Sequence, residues 1–295
     1  MSHVAPEITV VVCTYNRAAV LGECLDSLLA QELAGERYEV VVVDDGSEDD
    51  TRRVAETRTG GRTAVRVVRQ DNAGLNAARN RGVAAARSAW VSFLDDDELA
   101  PPGHLAAVAA HLARDPGLDG VGGPYREWEG GDDEAALPTC AECSLAAHAM
   151  AFDEPTLVEH LFGGNMTLRR SAFDEVGPFD AGVSRQGSAR GDEGEWFHRA
   201  AGRLRLLYDP DLWIWHRRDL FGLRSLLRHA FMQGRTVPEI ARKRGGRYRP
   251  RPLRLVRGLG HAARRRCTQG LVVAAREAGS WMGALGGLVR RGRAA

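Results

Sequence analysis

The sequence has few aromatic residues, and its net charge is close to zero. Phe, Trp and Tyr make up 6% of the 295 residues, and the formal charge is +1. It contains no uncharged stretch of about 18 or more apolar residues, so we expect no membrane-spanning helix. The N-terminus lacks a basic start followed by an apolar run, so we expect no secretory signal peptide.

Cysteine is also scarce. The five cysteines are an odd number, and two of them lie in apolar runs, which predicts reduced thiols and a cytoplasmic setting. Cys140 and Cys143 form a single C-x-x-C pair without a second pair at zinc spacing, so a metal or redox role for them is not favoured. The 44% hydrophobic and 27% charged residues are typical of a globular protein that can bury a core.

The near-zero net charge hides a strong asymmetry. Residues 217–295 carry 19 Arg and one Lys against three acidic residues, a net charge of +17, whereas the 216 residues before them carry −16. A segment this basic indicates an anionic partner or an acidic surface elsewhere in the chain.

Apolar runs alternate with helical patterns over the first hundred residues. Asn16 is a candidate N-cap for the first helix, which is followed by a polar helix from about Asp49 and an Ala-rich helix from Leu75 to Ala86. Apolar strands separated by helices predict an α/β fold, with a mostly parallel sheet covered by helices on both faces. The predicted strands are Ile8–Cys13, Tyr38–Val43, Thr63–Val68 and Trp90–Leu94.

The rest of the chain is less regular. Gly- and acid-rich loops follow Gly122, and periodic structure resumes at Thr156. We expect a helix from about Glu193 and a strand pair around Leu206 to Ile214. Beyond these, the pattern predicts helices interrupted by a Gly/Arg/Pro linker from Arg244 to Pro252.

Ligands of open parallel sheets bind at the carboxyl ends of the strands, where this sequence places polar residues. The first strand ends in Thr14-Tyr15-Asn16-Arg17, which is not the Gly-rich turn of dinucleotide-binding folds but can hold a base, a ribose or a phosphate. The second strand ends in Asp44-Asp45-Gly46-Ser47. Asp45 can accept a hydrogen bond from a base N–H, although taken alone the pattern favours a turn.

The fourth predicted strand ends in Asp95-Asp96-Asp97-Glu98. Successive carboxylates at the end of a buried strand repel one another, and a cation would neutralise them. Hard oxygen ligands indicate Mg²⁺ or Mn²⁺. The alternative is an acidic helix start, since Pro101 and Pro102 open a helix just downstream.

Three further segments are candidates, each with a plain structural alternative. Gly163 and Gly164 permit close approach of the backbone to a ligand, or form a turn. Asp192 and Glu193 can supply a general base, or are acids at a helix start. His216, after the last predicted strand, is a possible metal ligand or a packed polar residue.

In this order, the motifs resemble glycosyltransferase family 2, the inverting enzymes of GT-A fold. The resemblance covers residues 8–216 and rests on VVVCTYNR, VVVDDGSEDDT, NAGLNAARNRG, WVSFLDDDE, FGGNMTLRRSAFDEVGPFD, GDEGEWFHR and YDPDLWIWH. It implies a catalytic domain over residues 1–216, with a nucleotide-binding half (1–100) and an acceptor-binding half (101–216). Residues 217–295 would be an Arg-rich helical extension.

The resemblance also implies residue roles. The base would be Glu193, although the family usually has Glu-Asp where this chain has Asp192-Glu193, which leaves Asp192 as the alternative. The metal, Mn²⁺ or Mg²⁺, would be bound by Asp95, Asp97 and His216. Gly163, Gly164, Asn165 and Trp196 would line the sugar and acceptor side. The nucleotide would be bound by Thr14, Tyr15, Asn16, Arg17, Asp45, Arg79 and Asp96.

The implied reaction moves a sugar from a nucleoside-diphosphate sugar, with a UDP-sugar favoured, to an acceptor by a single inverting displacement. The acceptor is open, with lipid-linked or anionic molecules among the candidates. The absence of predicted spanning helices argues against a processive synthase that extrudes its polymer.

The basic extension leaves alternatives open. The apolar segment Gly270 to Val289, with Arg on both sides, suits a helix on an anionic membrane surface, which would make the protein peripheral on the inner membrane face. Equally, its arginines could pair with the acidic part of the chain. Two rival functions are a catalytically silent sugar-nucleotide binder and a nucleic-acid-binding protein. Because the sequence contains no recognisable nucleic-acid-reading module, we do not expect nucleic acid as the partner.

Overall fold

The computed structural model divides into two compact units. The first comprises Met1–Trp128, His148–Ala181 and Asp192–Arg217, and the second comprises the remaining segments. The structure describes residues 5–61, 63–127, 150, 152–182 and 192–216, and, further along the chain, helical residues at 227–228, 230–231, 256–257, 259–260, 262–263 and 271–282. The C-x-x-C pair, Cys267 and the predicted linker lie outside these residues, so the predictions about them stay predictions.

The first unit alternates strands and helices as the sequence predicts. Its helices are α1 (Ala18–Leu29), α2 (Thr51–Glu56), α3 (Leu75–Ala85), α4 (His104–Arg114), α5 (Ala172–Val176) and α6 (Asp192–Ala200). Its strands are β1 (Ile8–Thr14), β2 (Tyr38–Asp44), β3 (Ala64–Arg69), β4 (Trp90–Asp95), β5 (Glu98–Leu99), β6 (Gly120–Gly122), β7 (Tyr125–Glu127), β8 (Thr156–Val158), β9 (Met166–Arg169), β10 (Leu206–Tyr208) and β11 (Ile214–His216).

Eight of these strands form one sheet in the order β3-β2-β1-β4-β9-β6-β10-β8. The first four are parallel, and their register aligns Thr14 with Asp44 and Cys13 with both Val43 and Asp95. The carboxyl ends of β1, β2 and β4 therefore meet at one edge of the sheet. Strand β9 runs antiparallel between β4 and β6.

Both faces of the sheet are covered, as predicted. On one face, Val10, Val12, Val40 and Val42 pack in a core with buried leucines of α1 and α4. On the other, Val11, Val41 and Val43 pack with α3, α5 and α6. Burial on both faces explains why β1 and β2 have continuous apolar runs rather than an apolar/polar alternation.

Two local predictions are wrong. Residues Leu206 to Ile214 do not form a strand pair, because β10 joins the large sheet beside β6, whereas β11 lies between β5 and β7 in a separate three-stranded sheet. Asn16 does not cap α1. It has a positive φ of 53°, and its Oδ1 accepts the N–H groups of Glu48 and Asp49, which draws the side chain away from the helix start.

Apart from Gly182, which lies in a turn, the described residues of the second unit are helical. No helix in the described parts of the chain is both long and apolar enough to cross a bilayer. In the first unit, Cys13 and Cys24 are free thiols, and burial raises the pKa of both.

The contact between α3 and β1 depends on a glycine. A methyl group on Gly82 would lie 2.3 Å from Cγ1 and 2.9 Å from Cγ2 of Val11. Overpacking of this kind costs about 1–3 kcal/mol, which exceeds the roughly 1 kcal/mol that alanine gains over glycine inside a helix. We therefore expect Gly82→Ala to lower the free energy of unfolding in a chemical denaturation experiment. Gly61→Ala is the control, because a methyl group there meets no atom within 4 Å. Equal stability of the two variants would contradict this packing.

Candidate active site

The loops after β1 and β2 are joined by hydrogen bonds from backbone to side chain. The N–H of Asn16 donates to Oγ of Ser47 at 2.9 Å, and the N–H of Arg17 donates to Oγ1 of Thr51 at 2.8 Å. Thr14 is buried at the end of β1, whereas the side chain of Tyr15 is exposed. These bonds fix the backbone around the residues predicted to bind a nucleotide.

Asp45 is buried and holds the loop that precedes α3. Its two carboxylate oxygens accept hydrogen bonds from Nε2 of Gln70 at 2.7 Å and from the N–H groups of Ala73 and Gly74, both at 2.9 Å. Three donors thus fix the orientation of a carboxylate predicted to contact the nucleotide base. The turn interpretation of the Asp-Asp-Gly-Ser motif also applies, because Oδ1 of Asp44 accepts the N–H of Ser47.

The acidic end of β4 is the most charged part of the edge. The side chains of Asp95, Asp96 and Asp97 are 40%, 9% and 17% exposed. Arg17 reaches across from the end of β1, with Nη2 at 2.8 Å from Oδ2 of Asp97 and Nε at 3.5 Å from Oδ1 of Asp96. Its guanidinium therefore contacts both a predicted ribose ligand and a predicted metal ligand.

Burial raises the pKa of Asp96 to about 7. Arg17 lowers this pKa, and the neighbouring Asp97 and Asp95 raise it. Burial, followed by the charges of Asp95 and Asp97, also holds the pKa of Glu98 well above its usual range. Crowded carboxyl groups whose ionised forms are disfavoured fit a divalent cation, which would offset their repulsion.

The described residues do not enclose a metal ion on their own. Nowhere among them do three or more His, Cys, Asp or Glu side chains form a group that could hold one. Asp95, Asp97 and His216 therefore do not converge as a complete ligand set. Such a site fits an ion held by one or two carboxylates together with oxygens of a bound phosphate, an arrangement that Mg²⁺ often adopts.

Glu98 and Tyr125 are site residues for which we predicted no role. Oε2 of Glu98 accepts the N–H of Asp95 at 2.8 Å, and a methyl group on Gly164 would lie 2.3 Å from the same oxygen. The Tyr125 hydroxyl accepts the N–H of Gly164 at 2.8 Å.

His216 pairs with Glu98 between β11 and β5, and its ring centroid lies 5.9 Å from that of Tyr125. Glu98 was visible in the acidic run, but no sequence pattern marked Tyr125.

Gly163 and Gly164 allow charged side chains to approach the backbone closely, and Glu98 does so at Gly164. On the side of Gly163, a methyl group would lie 2.9 Å from Nη2 of Arg79 and 3.2 Å from Oε2 of Glu193. Close approach, rather than a positive φ, explains the need for glycine at both positions.

Arg79 connects the acidic edge to the predicted base. It extends from α3, is only 3% exposed, and lies with Nη2 at 3.6 Å from Oδ1 of Asp95 and Nη1 at 3.9 Å from Oε2 of Glu193. Arg79 thus lies between these two carboxylates, and the nucleotide role predicted for it stays a prediction. Glu193 lies in the first turn of α6 with a 23% exposed side chain, and the side chain of Asp192 lies outside the described part of the chain.

Two predicted sugar or acceptor residues belong to the protein interior instead. Trp196 is fully buried among Phe173, Phe179 and Phe197, and its indole N–H donates to the carbonyl of Gly177 at 2.8 Å. This correction follows from the apolar face of α6, which points into the core.

Asn165 is buried as well. Its Nδ2 donates to the carbonyl oxygens of Pro124 and Leu212, at 3.2 and 2.7 Å. The amide ties together the segments that lead into β7 and β11, so its predicted contact with the sugar is corrected to a structural role beside the two glycines.

The chain matches known proteins over most of the first unit. The sequence profile of Glycosyl transferase family 2 matches residues 9–177, more than half of the chain. The validoxylamine A glucosyltransferase of Streptomyces hygroscopicus subsp. jinggangensis is 42% identical over 118 residues, which are 39% of this chain and 28% of that enzyme. The glucosyl-dolichyl phosphate glucuronosyltransferase of Haloferax volcanii is 28% identical over 190 residues, which are 61% of this chain and 58% of that protein.

Several curated relatives are much longer than the matched part, and the match spans only about a quarter of their length. Among solved structures, a mannosyltransferase from Pyrobaculum calidifontis in complex with GDP-Man and Mn²⁺ superposes with a TM-score of 0.59 at 21% identity, covering 92% of this chain and 86% of that one. At this identity the likeness shows the fold, which is GT-A. The profile match confirms the resemblance predicted from the strand-end motifs: the chain belongs to glycosyl transferase family 2.

Proposed function

We propose that the protein transfers a sugar from a nucleoside-diphosphate sugar to an acceptor nucleophile, with inversion at the anomeric carbon. One observation carries this proposal: the guanidinium of Arg79 lies within 4 Å of both Asp95, at the acidic strand end, and Glu193, the candidate base. A site for a leaving diphosphate and a site for proton removal would thereby be adjacent, with Gly163 beside Arg79 and Glu193. Inverting transfer needs both sites on opposite sides of one sugar.

The donor nucleotide would bind at the ends of β1 and β2. Thr14, Tyr15, Asn16 and Arg17 follow β1, and Asp45 and Asp96 lie at the neighbouring strand ends. The exposed Tyr15 offers a ring for stacking on a base, and the fixed backbone of these loops supports a preformed pocket. A UDP-sugar is the favoured donor, and GDP-Man is a second candidate because it is bound by the fold neighbour.

Asp97 and Asp95 would hold Mn²⁺ or Mg²⁺, and His216 is the third predicted ligand. When bound, the ion would supply Lewis-acid stabilisation of the negative charge that grows on the departing diphosphate. The carboxylate crowding at Asp96 and Glu98 supports a cation at this edge. The N–H of Asp95 donates to Glu98, which fixes the backbone at the first predicted ligand.

Glu193 would accept the proton of the acceptor as the acceptor attacks the sugar. Arg79 restrains this carboxylate, and Gly163 leaves space for a hydroxyl group to approach it. A single displacement from the face opposite the leaving group inverts the anomeric centre. Asp192 is the alternative base, as the order of this acidic pair leaves open.

The acceptor would be a lipid-linked or otherwise anionic molecule, and the basic extension supports this choice. Residues 217–295 carry a net charge of +17, and the helical segment 271–282 exposes Val273, Trp281 and Met282. Such a surface would suit an anionic membrane interface on the cytoplasmic side. The glucosyl-dolichyl phosphate relative is consistent with a phosphorylated lipid acceptor.

The first test is a thermal-shift screen of UDP, GDP, dTDP and CDP with and without Mn²⁺ or Mg²⁺. A ligand that binds the native state raises the apparent stability. We expect a metal-dependent shift with one nucleotide, followed by transfer from the corresponding sugar donor and an inverted product by NMR. Binding without turnover across acceptor classes would instead favour a silent nucleotide-sugar binder.

Replacing Asp97, a predicted metal ligand, should reduce the effect of the metal on nucleotide binding. We expect Asp97→Asn to weaken metal-dependent nucleotide binding by at least about tenfold, because losing even a supporting residue of a metal site costs roughly 10- to 100-fold. Isothermal titration with Mn²⁺ present measures the change. The matched control is Asp26→Asn, whose carboxylate is 60% exposed and pairs with Arg58 outside the strand-end edge. A fully retained metal effect in Asp97→Asn would remove this residue from the site.

Replacing the predicted base should separate transfer from binding. We expect Glu193→Gln to lower the transfer rate about 10²- to 10⁴-fold, the range for a general base, while donor affinity stays unchanged. Asp192→Asn is the comparison, with a much smaller loss expected. Full activity of Glu193→Gln together with an inactive Asp192→Asn would assign the base to Asp192.

A further inference from the structure

Arg17 pairs with Asp97, one of the predicted metal ligands. It is the residue before α1, and its guanidinium makes a 2.8 Å ion pair with Asp97 and a 3.5 Å ion pair with Asp96. The Arg17 side chain is 28% exposed, which is far more than the 3% of Arg79, which also lies beside the acidic end of β4. One arginine is thus built into the protein interior, and the other reaches the acidic edge from a partly open position.

The backbone of Arg17 is fixed although its side chain is partly exposed. Its N–H donates to Oγ1 of Thr51, and Asn16 before it adopts a left-handed conformation that is stabilised by the N–H groups of Glu48 and Asp49. Movement at this position would therefore be a change of side-chain rotamer and would need no rearrangement of the loop.

We propose that Arg17 is an internal counter-cation of the acidic strand end, which the divalent ion displaces when it arrives with the donor. The inference rests on the proposed function and adds to it a coupling between binding of the metal and binding of the donor. In the free protein the guanidinium neutralises Asp97. In the donor complex it leaves the carboxylate and pairs with the diphosphate.

Charge and geometry support this exchange. A guanidinium and a divalent ion cannot both use Oδ2 of Asp97 without close repulsion between like charges. Metal binding alone therefore sacrifices the ion pair between Arg17 and Asp97 without bringing a new anionic group to the site. A diphosphate offsets the loss of this ion pair, because it offers oxygens to the metal and to the guanidinium together. Arginine binds phosphate oxygens in a bidentate manner. Mn²⁺ and nucleotide should consequently strengthen one another's binding.

The experiment measures Mn²⁺ affinity of the full chain by electron paramagnetic resonance, with and without the nucleoside diphosphate selected in the screen. In the wild type, we expect weak binding of Mn²⁺ alone and roughly 5- to 150-fold tighter binding with nucleotide, the usual range of coupling between two ligands. Arg17→Met should bind Mn²⁺ alone more tightly than the wild type and should lose most of the coupling. Arg17→Lys retains the charge and should behave more like the wild type.

Two controls keep the outcome interpretable. Arg58→Met removes an arginine of similar exposure that pairs with Asp26, and it should leave both Mn²⁺ affinities unchanged. If Arg17→Met does not fold, as judged by its thermal melt, Arg17→Gln replaces it as the neutral variant.

The inference is overturned if the neutral variant binds Mn²⁺ alone no more tightly than the wild type. This outcome differs from failure of the proposed function, in which the wild type would bind no nucleotide with either metal and would transfer no sugar. Even then, a gain of Mn²⁺ affinity in the neutral variant would support Arg17 as the counter-cation of Asp97.

Discussion

The site depends on the repulsion among four carboxyl groups at the end of one buried strand. Residues 95–98 are consecutive acids, and the burial of Asp96 and Glu98 prevents water from screening them. The protein offsets part of this repulsion with its own groups: Arg17 pairs with Asp97, Arg79 lies beside Asp95, and the N–H of Asp95 donates to Glu98. Even with these partners the charged form of Asp96 is disfavoured, chiefly because burial raises its pKa to about 7. A further cation bound at these carboxylates would stabilise their ionised forms.

The parallel half of the fold was predictable because its signals are long and local. Strands β1, β2, β3 and β4 have six or seven residues each, and their apolar runs identify strands before any pairing is known. Strands β5, β6, β7 and β11 have two or three residues, too few to show any period. Gly120–Gly122 forms a strand although glycine is depleted in strands. The close approach of β9 explains why glycine stands there, because a methyl group on Gly120 would lie 2.6 Å from Cδ2 of Leu168. Only tertiary packing explains such a strand.

The same distinction explains which site residues could be predicted. Residues that follow predicted strands in the sequence also lie at strand ends in the structure, so the meeting of Thr14, Asp45 and the acids of β4 at one edge was predictable from the chain alone. Tyr125 was missed because it reaches Gly164 from a distant segment, and Trp196 was misassigned because an aromatic residue beside acidic residues resembles a sugar platform until its burial is known. Sequence gives residue types near a site, whereas the direction of a side chain depends on packing partners that are far away along the chain.

Arg79 shows why the two halves of the site cannot be considered separately. Its guanidinium is nearly inaccessible to solvent and has carboxylates on two sides, Asp95 at the acidic end of β4 and Glu193 beside Gly163. A divalent ion bound to Asp95 would weaken the attraction between Asp95 and Arg79. The guanidinium would then interact more strongly with Glu193. Occupation of the donor side would in this way alter the environment of the base through one buried side chain, without movement of the sheet. In the proposed reaction, such coupling would make proton removal depend on the presence of the donor.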